Sequence, residues 1–440
     1  MRNIIIIFSL ISLVSCTNLK EVHKKQNSFL TSTHKNVKIY ESSGYGYGPC
    51  EPSIFINPTN VKNIVAGSIL DNVHYSFDGG YTWETKTLNS DLGVFGDPCI
   101  TADNFGNFYY LHLSDPDKMG WKSDKILNQI VIQKSIDGGI NWSKGTGIGY
   151  NSPKQQDKEW AVVNPINNEI YVTWTEFDKY GSKKPEDKSR ILFSKSSDGG
   201  NSFSKPIKLS QFEGNCIDDD FTTEGAVPSV GINGEIFVAW SFNNKIYFDK
   251  SFDQGNTWLE NDIIITNQPG GWSNEIAGIG RSNGMPVTAV DHSNSKYRGT
   301  IYVNWTDHRN GVNNTDVFIS KSTNQGKTWS KPKKVNTDKS ISDQFFTWMS
   351  VDPKTGFIYI IYYDRANLNN NQTDVTLAVS YNGGKNFVSK KISEKSFSSV
   401  PKGVFFGDYN NINSINGIIR PIWTHYENGK LSIFTAIIKD

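Results

Sequence analysis

Six copies of one turn punctuate this chain at near-regular intervals, and that repeat restricts the fold more than any other feature. The first reads Ser76-Phe77-Asp78-Gly79-Gly80-Tyr81-Thr82-Trp83; the others occupy residues 135–142, 196–203, 251–258, 322–329 and 380–387. Ser-to-Ser spacings run from 55 to 71 residues, about what four strands of roughly 5–6 residues and their loops consume. The third position (Asp78, Asp137, Asp198, Asp253, Asn324, Asn382) accepts hydrogen bonds from its own turn. Glycines after it supply positive φ, and the closing Trp or Phe packs back under the strands. These six positions therefore read as structural. One such turn per unit of this size points to a β-propeller.

Within a unit the strands can be counted. The fourth unit shows residues 228–231, a hairpin signal at Asn233-Gly234, then residues 235–240 and 245–250. After the sixth turn, residues 409–412, 418–423 and 431–438 form one more set of three strands without a turn of its own. Three strands would leave an open edge, which proteins avoid. Residues 36–41, ahead of the first unit, are the natural closing strand. The expectation is an all-β propeller of seven four-stranded blades, with six blades and an irregular end as the alternative. The repeated turns resemble the Asp-box, or bacterial neuraminidase repeat, from about residue 50 to the C-terminus. Sialidases carrying that box have six blades, so seven is a departure from them.

The N-terminus reads as a targeting segment. Arg2 precedes a mostly apolar run from Ile4 to Val14, of secretory length and too short to span a bilayer. It ends in Leu13-Val14-Ser15-Cys16, which resembles a bacterial lipobox and implies cleavage before Cys16 and lipidation of that residue. The expected division is a signal peptide over 1–15, a polar flexible tether over 16–35 and one propeller over 36–440. Thr17-Asn18-Leu19-Lys20 lacks the Asp that would favour inner-membrane retention, so the outer membrane of a bacterial envelope is expected. With 45 basic and 44 acidic residues, no electrostatic footprint for nucleic acid exists; a monomer is expected. Cys50 and Cys99 stand at equivalent places in neighbouring units, so a disulfide between them is an expectation for an oxidising compartment. No Cys/His spacing suits zinc.

In a propeller the first strand of each blade begins, and the second ends, on one face; the repeated turns lie on the other. The first face then collects Glu51-Pro52, Asp97-Pro98, Asp157-Lys158-Glu159-Trp160, Glu224, Arg281 and Asp343-Gln344. It also collects Asp408-Tyr409 and, from second-strand ends, Glu176, Asp307-His308-Arg309, Asp364-Arg365 and His425-Tyr426. Such convergence near the axis suits a small-ligand pocket. No cofactor is required; a carboxylate ring at the channel would suit a structural cation such as calcium.

The resemblance to sialidases, which use three arginines, a Tyr–Glu pair and an Asp, implies roles for these positions. Arg281, Arg309 and Arg365 would clamp an anionic sugar, helped by Asp307, Asp364, Asp408 and His425. Tyr409 (or Tyr426) would be the nucleophile, Glu224 its partner and Asp97 the acid/base. The Arg-Ile-Pro segment that sialidases carry before their first box is absent; residues 44–55 read Gly-Tyr-Gly-Tyr-Gly-Pro-Cys-Glu-Pro-Ser-Ile-Phe. That argues against exo-sialidase activity. Paired carboxylates would serve general glycoside hydrolysis, and Tyr or His with Arg would serve a lyase. Trp160, Trp272 and Trp348, near the mouth, suit either stacking on a sugar or core packing. The expected function is glycan binding with hydrolysis; the alternative is a non-catalytic glycan- or protein-binding propeller.

Overall fold

Seven four-stranded antiparallel sheets follow one another around an axis in the computed structural model, which describes residues 20–42 and 47–440. The innermost strands are Ser53–Ile56, Cys99–Ala102, Gln155–Val163, Glu224–Val230, Val287–Val290, Gln344–Val351 and Asn411–Ile415. Each packs against the next, and the seventh against the first, so the ring closes. Second strands such as Ile170–Phe177 are buried along their whole length because neighbouring blades cover both faces. Their β-branched and aromatic residues suit that doubly buried position. The seventh blade runs Asn411–Ile415, Ile418–Glu427, Lys430–Lys439, and its outer strand is Lys35–Glu41 from the N-terminal side. Lys35 lies opposite Ile437 and Glu41 opposite Ser432. Seven blades closed by an N-terminal strand is the expected architecture.

The repeated turns are built alike. Ser76 Oγ donates to Asp78 Oδ1 at 2.8 Å, the Tyr81 and Thr82 amides donate to the same oxygen at 2.9 and 3.0 Å, and Thr82 Oγ1 donates to Oδ2 at 2.6 Å. Partial burial pushes this carboxyl up, but the Thr82 hydroxyl and the other donors outweigh it and hold Asp78 at about 2. The Ser-to-Asp/Asn bond and the amide donation recur at Asp137, Asp198, Asp253, Asn324 and Asn382.

The turns also join blades. Lys195, Lys250 and Lys321 donate to the carbonyls of Gln254, Gln325 and Gly383 in the following blade's turn, at 2.9, 2.8 and 2.6 Å. At the closure, Arg420 Nε of the seventh blade donates to Gly79 O of the first blade's turn at 2.8 Å. Replacing Asp78 by Ala is expected to lower stability by roughly 1–2 kcal/mol in urea unfolding. Any activity per folded molecule should stay unchanged, since the turn is on the face opposite the candidate site. A selective loss of activity without loss of stability would contradict that separation.

Two expectations need correction. The tether expected to be flexible over 16–35 is helical over residues 20–31. The helix is docked because Phe29 is buried and Lys25 Nζ stands 4.9 Å from the Phe357 ring centre. Cys50 and Cys99 are free thiols. They face opposite ways around the ring: Cys50 Sγ donates to Phe405 O ahead of the seventh blade, and Cys99 Sγ accepts from Ala161 N of the third. The signal peptide and Cys16 lie outside the described residues.

Candidate functional site

Entry into the first strands is where chemistry accumulates. Glu51, Asp97 and Lys158 have φ of 51°, 52° and 53°, a left-handed conformation rare for non-glycine residues, and Gly407 has 96°. The kink turns consecutive side chains of adjoining blades toward one mouth. Such strain in charged residues is a common mark of functional sites. Here it brings Glu51, Asp97, Asp157, Lys158, Arg281 and Asp408 around one cavity of about 170 Å³.

Two cations bind the carboxylates together. Lys158 Nζ lies 2.9 Å from Asp97 Oδ2, 2.7 Å from Asp408 Oδ2 and 3.9 Å from Glu51 Oε1. Arg281 reaches Asp408 Oδ2 at 2.5 Å and Asp218 Oδ2 at 2.6 Å. Asp408 accepts both cations while its amide donates to Glu51 Oε1 at 3.0 Å. Its side chain is wholly buried, and Oδ1 has no hydrogen-bond partner among the described residues.

The carboxyls are thereby split into two protonation classes. Burial pushes Asp157 up to about 7, aided by the Asp97 and Asp218 charges against the pull of Lys158. Burial, then Asp97, raises Glu51 well above the carboxylate range. Burial, then the Asp218 carboxylate beside it, does the same to Glu224. In the other class, burial is outweighed. Arg281 leads the interactions that hold Asp218 at about 2, and Arg281 with Lys158 depresses Asp408. Neighbouring carboxyls with pKa values pushed apart are the arrangement acid–base chemistry needs.

The cavity walls are aromatic and come from loops. Tyr47, Phe95, Trp121 and Tyr180 line it, with the Trp121 and Tyr180 rings stacked at 5.5 Å and 28°. Tyr180 Oη donates to Asp218 Oδ2 at 2.8 Å. A phenol raised by burial beside a carboxylate held near 2 is a poor nucleophile. Tyr180 is therefore a wall and an anchor.

Of the positions expected from the sequence, Asp97, Arg281 and Asp408 meet in this cavity, and Glu224 lies beside Asp218, behind it. Three arginines do not converge. Arg309 is forked onto Asp307 two residues away, donates to Asn267 O at 2.9 Å and covers the Phe318 ring at 4.5 Å. Asp307 also accepts Trp305 Nε1 at 2.7 Å. Arg365 is buried over Phe345, with Nε donating to Thr373 Oγ1 at 3.0 Å. Asp364 is held by Gln344, Thr376 and the Ala366 amide. His425 packs between Phe397 and Phe434, and burial lowers its pKa. Each is committed to packing within its own blade or against a neighbouring one.

Tyr409 is buried, donates to Pro98 O at 3.3 Å and packs with Trp160 and Trp348. Those two rings lie 4.2 Å apart and line the axial channel of about 610 Å³. This trio packs the core beneath the mouth, and Trp272 is buried with Nε1 on Asp218 at 2.7 Å. The carboxylate ring that would suit calcium is instead neutralised by Lys158 and Arg281. Among the described residues, no group of three or more His, Cys, Asp or Glu is placed to hold a metal ion.

Comparisons with known proteins agree with this architecture. The BNR/Asp-box repeat family matches residues 74–85. No curated protein matches the chain. Among solved structures, an ulvan lyase, a polysaccharide lyase bound to -[GlcA(1-4)Rha3S]-, is similar with TM-score 0.55 and 13% identity over 92% of this chain and 96% of that one. A Dyadobacter fermentans protein of unknown function gives 0.50 and 13% over 92% and 98%. The NanB sialidase of Streptococcus pneumoniae gives 0.50 and 9% over 93% and 95%. At these identities the likeness is one of fold. The chain is a seven-bladed β-propeller with Asp-box repeats, similar in fold to these proteins.

Proposed function

We propose that the mouth cavity takes one sugar unit of a glycan and that the chain hydrolyses the glycosidic bond held there. The observation that carries this reading is Asp157, whose carboxyl burial pushes up to about 7, beside Asp97 ion-paired to Lys158 in one aromatic-walled cavity. Asp157 gives its proton to the leaving glycosidic oxygen. Asp97 acts at the anomeric carbon, directly or through water, as the second carboxylate of a glycoside hydrolase. Trp121 supplies a face on which a sugar ring stacks. The shared fold with a polysaccharide lyase and a sialidase supports a glycan as the ligand class.

Lys158 is bridged to three carboxylates and Arg281 to two, so neither is free to take the carboxylate of an acidic sugar. A neutral sugar fits better than sialic acid. The chain acts at a bacterial cell envelope, held by lipid on Cys16; the lipobox-like Leu13-Val14-Ser15-Cys16 supports this.

A panel of fluorogenic glycosides, including a sialoside, tests the reading. Turnover is expected on at least one neutral glycoside, with none on the sialoside, and Asp97→Asn should abolish it. Glycan binding on an array with no turnover of any substrate would replace the hydrolase by a binding propeller. Sialoside turnover would overturn the charge argument.

A further inference from the structure

We infer that the face bearing the repeated turns is a membrane-docking surface, seated on the lipid bilayer so that the mouth cavity points away from the membrane. This rests on the reading of Cys16 as lipid-anchored. Three independent features of the fold converge on it.

The first is where the N-terminal helix lies. Its Glu21, Val22 and Lys25 border a groove with Thr355, Phe357 and Asn382. Thr355 and Phe357 belong to the turn between the first and second strands of the sixth blade, and Asn382 to its box. Both turns are on the face opposite the mouth. At the helix's other end, Lys390 of the outer strand donates to Phe29 O at 3.3 Å, so the helix is held at both ends. Cys16 precedes residue 20 by four residues, a reach of at most about 14 Å even when fully extended. An acyl chain on Cys16 therefore starts close to the box face.

The second is apolar. Phe77, Tyr81, Phe105, Ile136, Ile166 and Phe252 stand at turn tips of blades one to four on this same face, between 50% and 79% exposed. The turns of Phe77 and Ile136, and those of Phe105 and Ile166, are neighbours across blades. A Cβ at Gly138, in the second blade's box, would meet the Phe77 ring at 2.7 Å. Asn104 Nδ2 donates to Pro165 O at 2.7 Å, placing the Phe105 and Ile166 turns side by side. Exposed apolar side chains grouped on one face mark an interaction surface.

The third is charge. Lys62, Lys296, Lys327, Lys354 and Lys385 are exposed at turns of this face in blades one, five and six, flanking the helix. None is ion-paired among the described residues. The box carboxylates are turned into their own amides, as at Asp78. Lysines beside apolar tips match an anionic headgroup layer over a hydrocarbon edge.

The full-length protein, with its native lipid, is reconstituted into vesicles of phosphatidylethanolamine and phosphatidylglycerol. A fluorophore is attached at Ile136→Cys or Phe252→Cys on the box face, or at Met119→Cys on the mouth face. Brominated phospholipids then serve as quenchers. Quenching is expected to be at least fivefold stronger at 136 and 252 than at 119. Equal quenching at the two faces, stronger quenching at 119, or none at either overturns the orientation. The last result would leave the box face to a protein partner. Intact mass of the same preparation reports acylation of Cys16, and Cys16→Ser should release the protein from the membrane fraction. An unacylated chain overturns anchor and orientation together; an acylated chain with the wrong quenching pattern overturns the orientation alone.

Discussion

Lys158→Met is expected to destabilise the fold by about 3–5 kcal/mol at pH 8, the effect of leaving buried carboxylates without their cation. Lys158 has a side chain only 4% exposed, lies between Asp97 and Asp408 and approaches Glu51. Those carboxylates, with Asp157, drive its pKa up against the opposing effect of burial. With the cation gone, Asp408 loses one of the two charges that hold it ionised and faces Asp97 at close range, and protonation of Asp408 relieves the repulsion. The deficit should therefore shrink as pH falls toward 4. Urea unfolding at pH 4, 6 and 8 measures this. A loss under 1 kcal/mol at pH 8, or a loss independent of pH, would show that the network is not held together by Lys158.

Asp157→Asn should cut kcat by about 10²–10⁴ on whichever glycoside the wild type turns over, the range for removing a positioned general acid. In the wild type, activity should fall as pH rises through about 7, where Asp157 loses its proton; that limb should vanish from the residual activity of the variant. Stability should move the other way. A group whose folded pKa is raised contributes stability that is complete below its unfolded value, near 4, and is lost as pH rises through about 7. Replacing Asp157 by a neutral isostere removes that penalty, so the variant should be more stable than wild type at pH 8, by a few kcal/mol at most, and no more stable at pH 4. Glu51 and Glu224, also raised, leave the variant with some of the same slope. A variant with more than a tenth of wild-type turnover and an unchanged alkaline limb would remove Asp157 from the acid role.

The two charge classes in the cavity explain why residue type alone misdirects the assignment of roles. Arg309 and Arg365 end second strands on the correct face, as Arg281 begins a blade there. Their guanidinium groups are nevertheless held locally, by Asp307 two residues away and by Thr373 eight residues away. Tyr409 sits one residue past Asp408 and so points into the core where Asp408 points to the mouth. The two residues precede the strand that begins at Asn411, and the left-handed φ of Gly407 just before Asp408 bends the backbone there. Trp121 lies in a single 3-10 turn, Gly120–Lys122, and Tyr180 in a loop, with no periodicity to betray them.

Local chemistry was sufficient for the architecture. Ser, Asp or Asn, Gly and an aromatic within eight residues make a closed set of hydrogen bonds that needs no distant partner, so the turns could be counted along the chain and the opposite face inferred. The orphan set of three strands demanded a fourth, and Lys35–Glu41 provides it. What the cavity holds could not be read that way. The protonation of Asp157, the pairing of Lys158 with Asp97 and Asp408, and the stacking of Trp121 on Tyr180 join residues from separate blades and loops. They depend on burial and ångström-scale distances that exist only once the ring has closed.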